Sequence, residues 1–313
     1  MSPSLPAPRA TPIHAFTPAP PSCKIKKFAE RTIEAGAKQK NTQNKLIKNL
    51  NVDQDGKTLN MKLGIAGYTG RVGKLLVAEL KSGAWGAMEL AAGSSRTIHP
   101  EHFPSETFSV FTEADDLMTS CDCVIDFTTP ETTEKNIVAA VKAQTALVIG
   151  TTGLDEAEEK RIREASKIIP IIYAANMSIG VNLLLALVEQ AAAKLGPAWD
   201  IEIAETHHKN KVDAPSGTAL AIGKAAQKGR GGRGEFVTDR YGKRNQGDIG
   251  FAVSRGGDVV GDHTLTFYGA GEKISLGHSA ADRALFARGA LQAAAWLNGK
   301  PAGLYTMRDV LGL

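Results

Sequence analysis

A short apolar run, Met61 to Ala66, breaks directly into Gly67-Tyr68-Thr69-Gly70-Arg71-Val72-Gly73. A helical pattern follows at once, carried by Val72, Leu75, Leu76 and Leu80. Three glycines at this spacing between a strand and a helix leave few folds open. The turn must be tight, its backbone must be approachable, and the helix must start close behind it. This is the phosphate-binding turn of a dinucleotide fold, in which the helix N terminus faces the pyrophosphate. A glycine-rich turn without a ligand is the plain alternative. Position at the first strand–helix junction favours the functional reading.

The next segments keep the same alternation. Strands are expected at Met88 to Ala92, Asp122 to Phe127, Ala146 to Gly150 and Ile168 to Tyr173, with a short edge element at Val110 and Phe111. Their ends carry Gly93-Ser94-Ser95-Arg96, Thr128-Thr129-Pro130, Gly150-Thr151-Thr152-Gly153 and Ala174-Ala175-Asn176-Met177. In an open parallel sheet the ligand lies at the carboxyl edge, where all these loops fall. The expected fold class is therefore α/β, a Rossmann-like doubly wound parallel sheet. The second strand ends without the acid that would bind a ribose 2′-hydroxyl. Ser94 and Arg96 suit a 2′-phosphate instead, so NADPH should be accepted as well as NADH. Arg96 as a solvated loop residue is the competing reading.

After Asn176 the pattern changes. Val181 to Leu195 reads as an apolar helix, and Ile201 to Glu205 alternates as a half-exposed strand does. A helix is expected over residues 218–227, then a Gly/Arg-rich mobile loop over 229–247. Strands follow at Ile249 to Ser254, His263 to Tyr268 and Lys273 to Leu276, and a last helix at Arg283 to Leu297. This half is expected to be a second α+β domain with a mixed or antiparallel sheet. The division is then 61–177 for dinucleotide binding, completed by about 283–313, and 178–282 for substrate binding and oligomerisation.

Chemistry concentrates in Glu205-Thr206-His207-His208-Lys209-Asn210-Lys211-Val212-Asp213-Ala214-Pro215-Ser216-Gly217-Thr218. An imidazole can donate a proton near neutral pH, and a lysine can hold a carboxylate. Ser216 can cap the helix that starts here, and Ser216 to Thr218 are expected to form a cradle that binds a substrate carboxylate. Gly217 lets a ligand approach the backbone, and Thr218 adds a hydroxyl at an anion-binding helix N terminus. Lys209 reads as solvated and Asp213 as a local turn residue. Glu205 reads as structural, bonding a neighbouring loop, and His263 and His278 as core or interface residues. No metal is expected, because adjacent imidazoles rarely converge on one ion and no third ligand is apparent.

The whole chain of 313 residues carries a formal charge of +4, but residues 1–60 hold ten Lys/Arg and four Asp/Glu, against 27 and 29 in residues 61–313. The folded part is thus near neutral, which argues against nucleic acid as its partner. The first 60 residues begin Pro/Ala-rich, turn polar and basic, and are expected to be a disordered extension. A transit peptide is opposed by the prolines and the few arginines. Three cysteines (Cys23, Cys121, Cys123) match no disulfide or zinc framework, so a reduced, cytoplasmic setting is expected. No apolar run is long enough for a membrane helix.

With both halves in view, residues 61–313 resemble the dihydrodipicolinate reductase (4-hydroxy-tetrahydrodipicolinate reductase) family. The resemblance is carried by the run from Glu205 to Ala219 and by the order of Gly67 to Val72, Asp126-Phe127-Thr128, Gly150 to Gly153 and Ala174 to Met177. The segment Gly303 to Leu311 fits as well. It implies NAD(P)H-dependent reduction of 4-hydroxy-tetrahydrodipicolinate, a small dicarboxylate, in lysine and diaminopimelate biosynthesis. It implies His207 as proton donor and Lys211 as the second catalytic position, with His208, Gly217 and Thr218 on substrate. Gly67, Tyr68, Thr69, Gly70, Arg71, Val72, Gly150, Thr151, Thr152, Ala174, Ala175, Asn176 and Met177 stand at cofactor positions. A homotetramer built through the second sheet is implied too. Ser94 departs from the acid common in the family, and residues 1–60 lie outside the pattern. Another two-domain dehydrogenase of amino or imino acids would share the glycine turn but leave the His-His-x-x-Lys run unexplained. A non-catalytic nicotinamide sensor would need neither His207 nor Lys211.

Overall fold

A computed structural model describes residues 60–97, 107–239 and 241–313. The extension expected over 1–60 lies outside the described residues, apart from Asn60. The first half alternates strand and helix: β1 (Met61–Ala66), α1 (Arg71–Lys81), β2 (Met88–Ser94), β3 (Ser109–Phe111), α2 (Ala114–Thr119), β4 (Cys123–Asp126), α3 (Pro130–Ala143), β5 (Ala146–Ile149), α4 (Glu156–Ala165) and β6 (Pro170–Tyr173). The strands β4 and β5 are short, apolar and almost wholly buried, as parallel strands covered on both faces must be. Successive side chains divide between two cores. Leu63, Ile65, Ile125, Val148 and Ile172 share one core with Leu76 of α1 and with Ala287, Ala290 and Leu291. Val124, Leu147, Ile149 and Ile171 meet Leu117, Ile137 and Ile162 in the other.

The second half contributes α5 (Ile179–Leu195), β7 (Asp200–His207), α6 (Gly217–Gly229), β8 (Phe236–Val237), β9 (Ile249–Arg255), β10 (Gly261–Tyr268) and β11 (Lys273–Ala280). The chain then returns to the first sheet through α7 (Ala284–Leu297), β12 (Gly303–Tyr305) and α8 (Met307–Leu311). The first sheet is parallel throughout, in the order β12-β6-β5-β4-β1-β2-β3. The second is mixed, in the order β11-β10-β7-β9-β8, with β10 antiparallel to both neighbours and β7, β8 and β9 mutually parallel. Both sheets belong to one compact unit, Thr58–Leu313.

One face of the mixed sheet packs Ile201, Ile203, Leu265 and Phe267 against Leu184 and Val188 of α5 and Ile222 and Ala226 of α6. The opposite face exposes Ala204, Ala252 and Thr264, in register across three strands. The small-residue helix α7 lies against the loop after β6. A Cβ at Gly289 would come within 1.8 Å of Met177 O, so glycine is required for that approach.

Several elements differ from the sequence expectation. The strand β7 runs two residues further, to His207, because it pairs with β9 as far as Arg255. Residues 229–247 are not one long loop, since Phe236–Val237 pair with β9. They are also tethered: Arg244 bonds Glu202 and Asp200, and Arg230 donates to the carbonyls of Trp199 and Gly196. The strand β11 continues to Ala280, and residues 303–305 add a seventh strand beside β6.

Candidate active site

The glycine turn joins β1 to α1 at the carboxyl edge of the parallel sheet. Gly67 sits at φ 72°, a region open to glycine, and Gly67 O accepts from Gly70 N at 2.9 Å. Gly67 N and Tyr68 N both donate to Ser94 O, so the turn is pinned to the end of β2. A Cβ at Gly73 would fall 2.2 Å from Gly67 O, which makes the third glycine obligatory. The helix α1 has neither a side-chain N-cap nor an acid in its first turn. Its N–H groups and dipole are left to an anion. The N terminus of α3 also has no side-chain cap. This chemistry fits the pyrophosphate of a dinucleotide.

The loops after β4 and β5 are locked together beneath this turn. Asp126 is fully buried and accepts from Thr128 N at 2.9 Å, Thr128 Oγ1 at 2.6 Å and Asn136 Nδ2 at 2.9 Å. Thr151 Oγ1 accepts from Thr133 Oγ1 at 2.8 Å and donates to the same carboxylate at 3.3 Å. A Cβ at Gly150 would meet the Phe127 ring at 2.3 Å. Among the expected cofactor residues, Gly67, Thr69, Gly70, Arg71, Val72, Gly150, Thr152, Ala174 and Ala175 lie along this edge. The side chains of Tyr68, Thr151 and Met177 are instead buried, with the Tyr68 ring edge-on to Phe108 at 5.4 Å. Ser94 meets the turn through its carbonyl, Thr69 Oγ1 lies 3.1 Å from Ser95 Oγ, and Arg96 is exposed.

Asn176 links the two halves. Its Nδ2 donates to Thr218 Oγ1 at 3.2 Å, and its Oδ1 accepts from Ser178 N at 2.8 Å. Thr218 stands in the first turn of α6, beside exposed Gly217, whose missing Cβ would meet nothing within 4 Å. Ser216 caps α6, accepting from Ala219 N at 3.1 Å. It is buried and also bonded to His263 Nε2 at 3.0 Å, so its side chain builds the cradle and does not line it.

The segment after β7 is stitched to the loop after β9: Gly256 N donates to His207 O at 2.9 Å, and Lys209 N to Gly257 O at 3.2 Å. His208 lies with Nε2 3.4 Å from Arg283 Nη2. Lys211 is largely buried and pairs with Asp213 at 2.8 Å, so Asp213 binds the catalytic candidate and not only its own turn. The Lys211 ammonium beside it holds the Asp213 carboxyl below its ordinary value. Lys209 is exposed, as expected, because it lies in the turn that follows β7.

His207 is buried, with Nδ1 2.5 Å from Glu205 Oε2. Glu205 is also held by Arg255, at 2.9 and 3.1 Å, and by Ser216 N at 3.0 Å. Burial alone would raise the Glu205 pKa; Arg255, His207 and the Ser216 N–H together hold it below the ordinary value. His263 packs edge-on to His207, with ring centroids 5.0 Å apart, and burial lowers its pKa to about 4. Sequence reasoning missed Arg255 and His263. Both enter from neighbouring strands, and the in-register pairing of His263 with Glu205 is visible only once β10 lies beside β7. The structure also supplies the third donor that the sequence did not suggest, since Glu205, His207 and His263 lie close enough to share an ion. The Glu205 oxygens, however, already accept from Arg255, His207 and Ser216.

Comparison with known proteins matches both halves to one family. Residues 61–177 match the family model for dihydrodipicolinate reductase, N-terminus, and residues 180–311 that for its C-terminus. A 4-hydroxy-tetrahydrodipicolinate reductase of Zymomonas mobilis is 45% identical over 262 residues, 82% of this chain and 99% of the relative. One from Granulibacter bethesdensis is 46% identical over 81% of this chain and 98% of its own length. A dipicolinate-bound dihydrodipicolinate reductase from Paenisporosarcina sp. TG-14 shares the fold, with a TM-score of 0.67 at 23% identity over 80% of this chain and 99% of its own.

Proposed function

This chain belongs to the dihydrodipicolinate reductase family, and on that premise we propose how its residues carry the reaction. It is an NAD(P)H-dependent oxidoreductase of lysine and diaminopimelate biosynthesis that reduces 4-hydroxy-tetrahydrodipicolinate to tetrahydrodipicolinate with loss of water. The observation that carries the reading is the Asn176–Thr218 contact, which joins the cofactor edge of the parallel sheet to the first turn of α6, the helix that follows the His/Lys segment.

When bound, the reduced nicotinamide supplies the hydride. The turn Gly67 to Val72 holds the pyrophosphate through backbone N–H groups and the α1 dipole. Thr152 and Ala174 to Asn176 would hold the nicotinamide half and Ser94 and Arg96 the adenosine ribose, compatible with NADPH or NADH. Gly217 and Thr218 cradle one substrate carboxylate at the α6 N terminus. Lys211 and His208 orient the other. Once the substrate hydroxyl has left as water, the ring that receives the hydride would be enamine-like and must take one proton, which His207 would give, a step contributing about 10²–10⁴-fold in rate. We assign cofactor binding to 61–177 with 283–313, and substrate binding to 178–282.

The exposed face of the mixed sheet around Ala204, Ala252 and Thr264 is our candidate for the homotetramer contact, which light scattering would test. Among the described residues no helix is long and apolar enough to cross a membrane. We place the enzyme in the cytoplasm, with Cys121 and Cys123 as buried free thiols. Purified protein should oxidise NADPH or NADH when given 4-hydroxy-tetrahydrodipicolinate, followed by loss of nicotinamide absorbance. Absence of turnover with both cofactors would refute the reading. Initial rates with each on one sample would rank them.

A further inference from the structure

We propose that Glu205 is a positioning residue for His207, fixing the imidazole with its proton on Nδ1 and leaving Nε2 as the nitrogen that exchanges a proton with substrate. This rests on the reading that His207 moves the proton.

Four hydrogen bonds converge on one carboxylate that has no exposed surface. His207 Nδ1 and Arg255 Nη1 reach Oε2, at 2.5 and 2.9 Å; Ser216 N and Arg255 Nη2 reach Oε1, at 3.0 and 3.1 Å. An anion that accepts the Nδ1 proton sets the tautomer and ring orientation of an imidazole. Arg255 keeps that anion charged in a buried place, where an unpaired carboxylate would be costly. Its guanidinium also donates to Asp213 O at 2.7 Å. The carboxylate and guanidinium thus tie the imidazole, the first turn of α6 and the loop bearing Lys211 into one assembly.

The far nitrogen of His207 is left uncovered by a glycine. A Cβ at Gly261 would stand 2.9 Å from Nε2, inside contact distance. His263 does not compete for the carboxylate, because its Nε2 is engaged with Ser216 Oγ at 3.0 Å. The charged or titratable groups on this assembly are Glu205 on β7, Arg255 on β9 and His263 on β10 beside His207, Asp262 on β10 and His278 on β11 beyond His263, and the Lys211–Asp213 pair reached through Arg255. Of these, Glu205 alone contacts Nδ1 in the described structure.

The test compares His207→Gln, Glu205→Gln, Glu205→Asp and the double variant His207→Gln/Glu205→Gln, each by kcat, KM and pH profile. Glu205→Gln should lower kcat by about 10- to 100-fold, the usual cost of losing an outer-shell partner, with cofactor affinity little changed. Glu205→Asp should recover part of the rate, and the double variant should be no slower than His207→Gln alone. A wild-type kcat profile in Glu205→Gln, a loss confined to KM, or an additive double variant would overturn the positioning role while a slow His207→Gln keeps the proton-donor reading. A wild-type kcat in His207→Gln would sink both. If Glu205→Gln fails to fold, nitrogen-15 NMR of histidine-labelled wild-type enzyme decides: neutral His207 protonated at Nδ1 supports the proposal, and protonation at Nε2 overturns it.

Discussion

Asn176 Nδ2 donates to Thr218 Oγ1 at 3.2 Å, joining residues 42 positions apart across the two sheets. Asn176 is itself braced, with Oδ1 on Ser178 N and its carbonyl taken by Asn182 Nδ2 at 2.8 Å. The loop proposed to border the nicotinamide is therefore coupled to the helix proposed to receive the substrate carboxylate.

Breaking that link should affect both ligands. A hydrogen bond of this kind is worth about 0.5–1.5 kcal/mol net. Asn176→Ala and Thr218→Val should each lower kcat/KM by roughly threefold to tenfold from this term alone. A double-mutant cycle on kcat/KM should give a coupling of the same size. Strict additivity would show that the two residues act separately.

The third glycine of the turn makes a sharper prediction. Gly73→Ala places a methyl 2.2 Å from Gly67 O, and backbone cannot yield as a side chain tip can. Overpacking of this kind costs about 1–3 kcal/mol, and here the displaced atom belongs to the phosphate turn. Cofactor affinity measured by fluorescence titration should fall more than tenfold (about 1.4 kcal/mol), together with Tm. Gly217→Ala, where the added Cβ meets nothing, should leave Tm unchanged.

Gly261→Ala tests access to the proton donor. The added Cβ would meet His207 Nε2 at 2.9 Å and His263 Cε1 at 3.4 Å, with no backbone obstacle among its nearest atoms. We expect kcat to fall by about tenfold or more, cofactor affinity to hold, and Tm to change little. Unchanged kcat would mean that Nε2 does not face the substrate.

Stability should fall as the medium is acidified. His263 is held neutral by burial, with its pKa lowered from 6.5 to about 4. Below pH 6.5 the unfolded chain binds a proton that the folded chain refuses, so the contribution is complete above 6.5 and is lost on descent to about 4. Its size is on the order of 3 kcal/mol. The lowered pKa of Glu205 acts in the same direction at lower pH, below the ordinary carboxylate range. Tm measured across pH 4–7 should drop on the acid side, and His263→Gln should flatten the upper part of that decline.

Much of this was legible in residue order because it is local. The glycine turn, the apolar β4 and β5 and the alternation over Ile201 to Glu205 are set by neighbours in sequence, and the structure has them within a few residues. Elements fixed by distant partners were not. Phe236 and Val237 are two residues in a glycine-rich run and become β8 only because β9 is there to pair with. Leu304 has no pattern of its own and is a strand through Ile171. At the site, His207, Lys211 and Thr218 stand in one recognisable run, whereas Arg255 and His263 reach Glu205 and Ser216 across strands. A single-chain pattern carries no register between strands, and the assembly that orients His207 is made of register.

The placement of β12 bears on synthesis. This strand lies at the border of the nucleotide sheet, yet it is encoded after every strand of the mixed sheet. Met177 packs against Gly289 in the same way, awaiting α7. A ribosome emitting the chain at about 5–20 residues per second delivers β1 to β6 first and the covering helix and outer strand last. The dinucleotide half therefore cannot finish as an independent early product, and the mixed sheet must fold as an insertion while its host is still open. Nascent chains stalled before Ala284 should display exposed apolar surface where α7 will sit, a natural address for a chaperone.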